Sequence, residues 1–527
     1  MHIVLISVAV LALAGEHCHA AFLFPSKTAP MAFPNKPGSN FTGQDWALLI
    51  AGSGGWGNYR HQADVCHAYQ VLSHGGLDDD HIVVMMADDL ASNYMNPHPG
   101  KVFNKPGGHD VYKGVPLDYT GPNVNAETFL AVLEGDEHSA AILGTSGKVI
   151  KSGPKDRVFV YFADHGAPGI LGMPFGPFLY ADQLHKTLRR KAASKGFADM
   201  VMYIEACESG SIFEGLLDES QSIYVTTAAN SHESSWGTYC PGMKPSPPQE
   251  FTTCLGDLYS VAFLENCDEQ DLDKETLEKQ YELVRLRTSN NYTYMQGSHV
   301  MQFGSLNIDE EPASDYLGYK IHPSGNGADG GAAPPALQES VPQRDADLLH
   351  LWTVYTRAPA AGGAKAKALQ AFQAEVDRRA TVDLAVRAAV GNLLSNATVM
   401  EMIQATYRNT NLLLPNLAVD NNANAAASAI EMFTTSALPR AAGTPLVDDW
   451  DCLRGMMNAW IATPGCTHLM DQYGMQYSRA FANLCNAGVS IAMMQNALQP
   501  VCSPQSSAMS DLAGSSIRAE RPILSVS

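Results

Sequence analysis

Apolar runs rich in β-branched and aromatic residues recur through the first half of the chain, each closed by small or polar residues. Ala47-Leu48-Leu49-Ile50-Ala51-Gly52-Ser53 opens the series and enters a glycine-rich loop, Gly54-Gly55-Trp56-Gly57. Ile82-Val83-Val84-Met85-Met86, Val158-Phe159-Val160-Tyr161-Phe162, Val201-Met202-Tyr203-Ile204 and Ile223-Tyr224-Val225-Thr226-Thr227 follow. Such runs read as buried strands of a parallel sheet. Helical spacing from Ala63 through Leu72 and from Ala181 to Arg190 lies between them, which predicts βαβ units and an α/β fold. Two of the runs end in reactive side chains, one at Asp164-His165-Gly166 and the other at Glu205-Ala206-Cys207-Glu208-Ser209-Gly210. In open α/β sheets the ligand crevice lies beyond the carboxyl ends of the strands. An imidazole and a thiol delivered to one crevice are the minimum kit for a cysteine nucleophile with a histidine base.

The pattern breaks near His322. Pro323-Ser324-Gly325-Asn326-Gly327-Ala328-Asp329-Gly330-Gly331 continues into Pro334-Pro335, which is linker chemistry, and a flexible linker is predicted over 323–346. Beyond it strand-like runs are scarce. Asp347 to Tyr355, Ala364 to Arg379 and Val382 to Leu394 carry helical periodicity, and Cys452, Cys466, Cys485 and Cys502 all fall in this half. It reads as a separate helical domain, 347–527, stapled by two disulfides, with a loose Ser-rich tail. Two folded units also suit a length of 527 residues.

Hydrophobic residues make up 45% of the chain, enough for sizeable cores, and the formal net charge of −20 argues against a nucleic-acid partner. Met1 to Ala20 looks like a secretory signal, with an apolar Ile3–Ala14 stretch too short for a membrane anchor and no later candidate span. Asn40, Asn291 and Asn396 begin Asn-x-Ser/Thr triplets, which agrees with that route. Disulfides are allowed there, and nine of the ten cysteines lie past the signal, so at least one thiol is unpaired or bonded between chains. The glycine loop lacks a dinucleotide or phosphate-loop pattern. His61, Cys66 and His67 lack a closed ligand set, so no metal and no cofactor is implied.

These blocks resemble the legumain family, the asparaginyl endopeptidases, also called vacuolar processing enzymes in plants. The matching residues are Ala51-Gly52-Ser53 with Asn58-Tyr59-Arg60-His61-Gln62-Ala63-Asp64, then Asp164-His165-Gly166, then Glu205-Ala206-Cys207-Glu208-Ser209-Gly210-Ser211. Glu233-Ser234-Ser235-Trp236, Leu255-Gly256-Asp257-Leu258-Tyr259-Ser260 and the four-cysteine tail with Asn483-Leu484-Cys485-Asn486 continue the match, and Cys240-Pro241 with Cys254 looks like the plant-type branch. The resemblance implies a caspase-like, mostly parallel sheet flanked by helices over 41–322. A signal peptide at 1–20, an N-terminal propeptide at 21–40 and an all-α, disulfide-stapled C-terminal prodomain complete the expected organisation. It also implies the pairs Cys240–Cys254, Cys452–Cys485 and Cys466–Cys502, with Cys66, Cys207 and Cys267 left as thiols.

The roles implied are Cys207 as nucleophile, His165 as general base and then acid, Asn58 as the group orienting the imidazole, and backbone N–H groups of Gly166 and Cys207 as the oxyanion site. A carboxamide offers one acceptor and two N–H donors, so Arg60 would meet its oxygen, while Glu205 and Asp257 would accept from its nitrogen. His61, Ser234 and Ser235 would line the walls. A protonated Asp side chain resembles Asn, so cleavage after Asp is expected only at acid pH. Asp164 is a candidate for succinimide formation. The resulting reading is a zymogen in an acidic vacuolar or lysosome-like lumen, or secreted, acting on protein and peptide substrates. Its own prodomain would be the inhibitor, and Asn326 a processing site. Arg344 and Arg357 are expected to pair with acidic groups of the crevice, including Glu205 and Asp257. The alternatives are a peptide ligase or cyclase using the same acyl-enzyme, which Gly237 disfavours by its resemblance to hydrolytic members, and a non-catalytic pseudoprotease.

Overall fold

The computed structural model describes residues 41–143, 146–318, 338–407, 423–436, 438, 440–441 and 443–503. The segments 1–20 and 21–40, Asn40 and Asn326 lie outside the described residues. Twelve strands follow one another among the described residues. They are β1 Asp45–Ala51, β2 Ile82–Met85, β3 Arg157–Ala163, β4 Gly166–Ala167, β5 Ile170–Leu171, β6 Leu179–Tyr180, β7 Asp199–Glu205, β8 Ile223–Thr227, β9 Trp236–Thr238, β10 Gly256–Asp257, β11 Met301–Gly304 and β12 Ser340–Pro342. The main sheet has the order β11-β8-β7-β3-β1-β2, parallel except for β11.

Alternation along the central strands explains why helices cover both faces. Ala47, Leu49, Phe159, Tyr161, Val201 and Tyr203 point into one apolar core, while Leu48, Ile50, Val158, Val160, Met200 and Met202 point into the other. Helices α1 Tyr59–His74, α2 Ala126–Glu134, α3 Glu137–Leu143, α4 Ala181–Ala193, α5 Leu258–Glu269, α6 Leu277–Thr288 and α7 Ser314–Leu317 complete this unit. Residues of α1, α5 and α6 enter the first core, and residues of α2 and α4 the second.

The C-terminal region is helical, with α8 Ala346–Arg357, α9 Ala364–Leu394, α10 Ala397–Tyr407, α11 Ala423–Thr435, α12 Trp450–Ala462, α13 Ser478–Asn486 and α14 Ile491–Cys502. Two helices expected around Arg379 and Val382 are one continuous helix, because Ala380-Thr381 contains no breaker and the Thr381 hydroxyl donates back to Asp377 O at 2.8 Å. Disulfides join Cys452 to Cys485 and Cys466 to Cys502 around a core centred on Leu453, Met456, Met457, Trp460 and Phe481. That core is not self-contained, since Ala167, Ile170 and Tyr180 of the sheet unit belong to it. The expected linker 323–346 differs at its end. Residues 340–342 form β12, which pairs antiparallel with β9, and β10 pairs with the other edge of β9. Ser340-Val341-Pro342 is extended because the residue before proline disfavours the helical region. The Cys240–Cys254 disulfide, with Met243, makes a small apolar floor on which Val341, Ala346 and Leu349 sit.

Trp460 is fully buried and stacks on Phe481 at 5.8 Å between centroids. Trp460→Ala should destabilise the helical region by about 3–5 kcal/mol through lost contact and cavity formation. Urea unfolding of the precursor in a Cys207→Ala background, followed by helical circular dichroism, measures this, and a loss below about 1 kcal/mol would contradict the packing described.

Candidate functional site

The site lies at the carboxyl ends of β3 and β7. Ala163 is in register with Glu205, and Asp164 N–H donates to Glu205 O at 3.0 Å, so His165 and Cys207 each follow two residues past that register. A Cβ on Gly166 would stand 2.3 Å from Cys207 O, so the two turns are pressed together and only glycine fits. Glu208 adopts φ 46°, a left-handed turn that ends the β7 segment directly after the cysteine.

Asn58 sits at the head of α1 and decides the histidine tautomer. Its Nδ2 donates to Gly54 O at 3.0 Å and to Gln472 Oε1 at 2.9 Å, so Oδ1 is left to accept from His165 Nε2–H at 2.8 Å. In the neutral ring Nδ1 then carries the lone pair, and among the described residues it has no hydrogen-bond partner. Burial, followed by the cations Arg60, Arg344 and Arg379, holds this imidazole well below its usual range. Cys207 is equally buried, and burial pushes its thiol up against the opposing pull of Arg344. Its Sγ lies 3.2 Å from Ser234 Oγ and 3.8 Å from Ser235 Oγ.

A buried cluster of charged and polar side chains lies beside the thiol. Arg60 donates from Nε to Asp257 Oδ1 at 2.8 Å and from Nη1 to Gly57 O at 3.1 Å, with both ion-pair partners buried. Glu205 Oε2 accepts from Ser260 N and Oγ at 3.2 and 3.0 Å. Glu205 Oε1 and Asp257 Oδ2 are buried without a hydrogen bond among the described residues, and His61 Nε2 lies 3.5 Å from the latter. Burial raises both carboxyls, Glu205 the more, and neighbouring Asp257 pushes Glu205 up further. Gly237 forms one wall, where a Cβ would touch Arg60 Cδ at 3.4 Å. Arg60, His61, Glu205, Ser234, Ser235 and Asp257 are thereby brought around one space beside Cys207.

The chain's own segment after β12 enters that space. Gln343 N–H donates to Ser235 O at 2.9 Å, Arg60 Nη2 donates to Gln343 O at 3.4 Å, and Gln343 Nε2 reaches Asp257 Oδ1 at 3.5 Å. Its Oε1 lies 3.7 Å from Cys207 Sγ. A carboxamide is therefore already held against the pocket acid. The sequence reading passed over Gln343 because it lay inside the presumed linker; Val341-Pro342 followed by a carboxamide was the available signal. Arg344 does not pair with Glu205 or Asp257 as expected. Those carboxyls are enclosed and engaged by Ser260 and Arg60, so Arg344 instead reaches Glu208 (Nη1 to Oε1 3.2 Å) and Gly166 O (2.7 Å). Arg357 likewise binds no acid of the crevice and donates to the backbone carbonyls of Gln249 and Phe251.

The helical region grips both this segment and the sheet unit. Arg379 holds Asp345 at 2.8 Å, Asp347 at 2.5 Å and Arg344 O at 2.8 Å. Arg454 pairs with Asp182 at 2.7 Å, and buried Arg479 donates to Ser231 O at 2.7 Å and His232 Nδ1 at 3.2 Å. A cavity of about 690 Å³ remains between the units, touching Asn58, Asp164 and His165 on one side and Asp347, Glu375, Asp471 and Gln472 on the other.

Asp164 is buried and faces His61 Nδ1 at 3.5 Å, and burial pushes its carboxyl up to about 8. His61, Asp164 and His165 bring one metal-type ligand atom each within 4.8 Å of one another. His61 Nδ1 is engaged by Ser53 Oγ at 2.5 Å and His165 Nε2 by Asn58, while His61 Nε2, His165 Nδ1 and Asp164 Oδ1 have no hydrogen bond among the described residues. Cys66 and Cys267 are buried thiols away from this chemistry, Cys66 near Met86 Sδ at 3.9 Å. Asn291 lies in a loop with left-handed backbone at Asn290, Asn291 and Tyr292, while exposed Asn396 accepts from Thr398 N–H as it starts α10.

The chain is similar to known proteins over most of its length. A family model described as the peptidase C13 family matches residues 45–319, and one described as legumain, prodomain, matches residues 418–502. A vacuolar-processing enzyme of Ricinus communis is 46% identical over 461 residues, covering 88% of this chain and 85% of that one. Legumain of Canavalia ensiformis is 44% identical over 477 residues, covering 89% and 90%. The beta-isozyme of the vacuolar-processing enzyme from Arabidopsis thaliana is 45% identical over 487 residues, covering 92% and 91%. The chain belongs to the peptidase C13 family, as a cysteine endopeptidase zymogen that carries a legumain prodomain.

Proposed function

We propose that the peptidase cuts after Asn, and after Asp at acid pH, in the lumen of a vacuole, and that it releases its own prodomain on acidification. The observation that carries this reading is the Gln343 carboxamide lying against Asp257 with its oxygen beside Cys207. Gln is one methylene longer than Asn. Gln343 turns its side-chain oxygen to the sulfur and its backbone carbonyl to Arg60, whereas a substrate Asn would give its carboxamide to Arg60 and Asp257 and its backbone carbonyl to the sulfur. The vacuolar location follows the printed names of the relatives, and no helix among the described residues is long and apolar enough to cross a membrane. A signal at 1–20, a propeptide at 21–40, a peptidase unit to 322, a linker carrying Asn326 and a prodomain from 347 fit that route.

In the mechanism, His165 Nδ1 takes the Cys207 proton as sulfur attacks the carbonyl carbon, and backbone N–H groups of Gly166 and Cys207 receive the oxyanion. His165 then returns the proton to the leaving amine, and water hydrolyses the thioester. Asn58 keeps Nε2 protonated throughout. Arg60 supplies the charged donor for the carboxamide oxygen, and Asp257 and Glu205 supply acceptors for its nitrogen. Strand β12 and Gln343 occupy the substrate's place, so the precursor is latent until they leave.

Three outcomes test the reading. Cys207→Ala should abolish turnover of an Asn peptide, His165→Ala should lose about 10²–10⁴-fold in kcat, and Asn58→Ala should lose less. Full activity in Cys207→Ala would sink the mechanism. Arg60→Ala should lower kcat/KM for Asn peptides by about 10–100-fold, chiefly through KM, because a charged hydrogen bond is lost and Asp257 is left uncompensated. Wild-type enzyme should cut Asp peptides near about pH 4 but not at neutrality. An equal loss on every peptide would refute the pocket.

The third concerns acidification. His232 Nδ1 must accept from Arg479, so the covered state needs the neutral ring. Burial, then Arg479, holds His232 below its ordinary value, against the opposing pull of Glu214, Glu208 and Glu233. The uncovered state therefore binds the proton better. The covered state has its full stability above the free histidine value of about 6.5 and loses it progressively as pH falls below that value toward the lower value of the covered ring, where the contact itself is protonated away. His232→Gln, which keeps an acceptor at every pH, should shift the onset of self-conversion to lower pH. An unchanged onset, followed by mass spectrometry over a pH series, would remove His232 from the trigger.

A further inference from the structure

Helix α1 carries more of the pocket than Arg60 and His61. Asp64 lies one turn beyond Arg60 on the same buried face, where an Arg–Asp pair would ordinarily bond along the helix. Here both turn to the same third residue. Arg60 takes the Asp257 side chain, and Asp64 Oδ2 accepts the Asp257 backbone N–H at 3.1 Å. Asp64 is fully buried, and among the described residues no cation lies within ion-pair distance of it. Burial raises its carboxyl well above the usual range, and Asp257 pushes it further. An acid kept in such a place without a cation is costly to stability, so its role is to be sought in what it holds.

What it holds is the backbone at the head of α5. Asn104 Nδ2 donates to Asp64 Oδ1 at 2.6 Å and to Leu255 O at 3.0 Å, so one amide clamps the acid and the residue leading into β10 together. A Cβ on Gly256 would stand 2.9 Å from Asn104 Nδ2 and 3.1 Å from Asp64 Oδ1, which shows how closely β10 is pressed onto the pair. With both Asn104 protons committed, its Oδ1 accepts from His67 Nδ1 at 2.8 Å, and His67 Nε2 meets Asp268 Oδ2 at 3.1 Å. The chain of contacts thus runs from Asp257 through Asp64, Asn104 and His67 to α5 again at Asp268. It closes a loop that fixes α5 against α1 at both ends of the contact. Asp257 makes no side-chain cap of its own at the start of α5, and its carboxylate is left for Arg60.

We propose that Asp64 is a positioning residue for carboxamide recognition, setting the height of Asp257 against Arg60, and that Asn104 and His67 hold Asp64 for that task. This rests on the reading of Asp257 as a pocket acid. A shift of Asp257 would separate Arg60 from its partner and misplace both carboxamide contacts, while leaving His165, Asn58 and Cys207 where they are. The effect therefore falls on substrate binding and on the choice between Asn and Asp, not on the acyl-transfer step.

The test uses the acid-activated full-length protein, with active sites counted by a thiol-reactive asparaginyl probe. Asp64→Ala should raise KM for an Asn peptide by about 10-fold or more, with kcat per titrated site changed by less than about 3-fold, since one buried hydrogen-bond partner is removed. The ratio of Asn to Asp cleavage at acid pH should fall in parallel. Asn104→Ala should move both readouts in the same direction by a smaller factor, and it decides the matter if Asp64→Ala yields no soluble protein. A purely structural role would reduce the count of active sites and the melting temperature while KM per active site stayed at the wild-type value, and that result overturns the proposal. Asp257→Ala run alongside separates the two layers. If it leaves KM unchanged, the pocket assignment itself fails; if it raises KM while Asp64→Ala and Asn104→Ala do not, only the positioning role fails.

Discussion

The buried pair between Arg60 and Asp257 is the constraint around which the rest of this molecule is arranged. Neither partner touches solvent, and two further acids, Glu205 and Asp64, are enclosed close by. Burying an ion pair rarely stabilises a fold relative to well-packed apolar side chains. The arrangement is sustained instead by its surroundings. Ser260 saturates one oxygen of Glu205, Asn104 and the Asp257 N–H saturate Asp64, and Gly57 O takes a second Arg60 donor. What remains unsatisfied is one oxygen each on Glu205 and Asp257, the atoms that would face a substrate's N–H groups. The pocket is thus pre-polarised for a neutral group that both donates and accepts, and hostile to a second carboxylate.

Latency uses the same physics as recognition. Strand β12 adds to the free edge of β9 as an extended peptide would, and Gln343 offers its carboxamide to Asp257. The helical region makes this intramolecular ligand persistent. Arg379 fixes Asp345, Asp347 and Arg344 O, and Arg344 closes over Glu208 and the Gly166 carbonyl. Part of the helical core is built from Ala167, Ile170 and Tyr180, so the cover is packed onto the peptidase as well as tethered to it. Polar contacts that depend on protonation state can release such a cover, whereas the apolar contact alone would not respond to pH.

Much of this was legible in the chain, for identifiable reasons. The strands at Val158 and Val201 announce themselves because both faces of the sheet are covered, so their residues are apolar without interruption. His165 and Cys207 follow from where those strands stop. The strand pairing that places Gln343 and Arg344 was not legible, because a segment that becomes a strand only by pairing with β9 carries too few residues to show a period. Its partners Ser235 and Arg60 are distant in sequence. Likewise Arg344 was expected on Glu205 or Asp257 because charge can be read from sequence and enclosure cannot. With Arg60 and Ser260 on those carboxyls, Arg344 pairs with Glu208 at the rim instead. The stretches Ala364 to Arg379 and Val382 to Leu394 were read separately, but no backbone breaker stands between them and α9 runs through Thr381.

Covering the site also alters the chemistry of the groups it covers. Burial pushes the Cys207 thiol up and the His165 imidazole down, so both effects favour the neutral pair over thiolate and imidazolium. Arg344 pulls the thiol the other way, yet it is itself spent on Glu208, which restores negative charge beside the sulfur. Removing β12, Gln343 and Arg344 returns water to both groups and takes three arginine influences on His165 down to that of Arg60 alone if Arg379 departs with its helix. Asn58 would lose its Gln472 contact but keep the bond to Gly54 O, so the imidazole tautomer survives the change. The active arrangement therefore needs no new side-chain architecture on opening. Return of solvent would relieve the burial that favours the neutral pair, so unmasking the pocket and easing proton transfer from Cys207 to His165 belong to one conformational event.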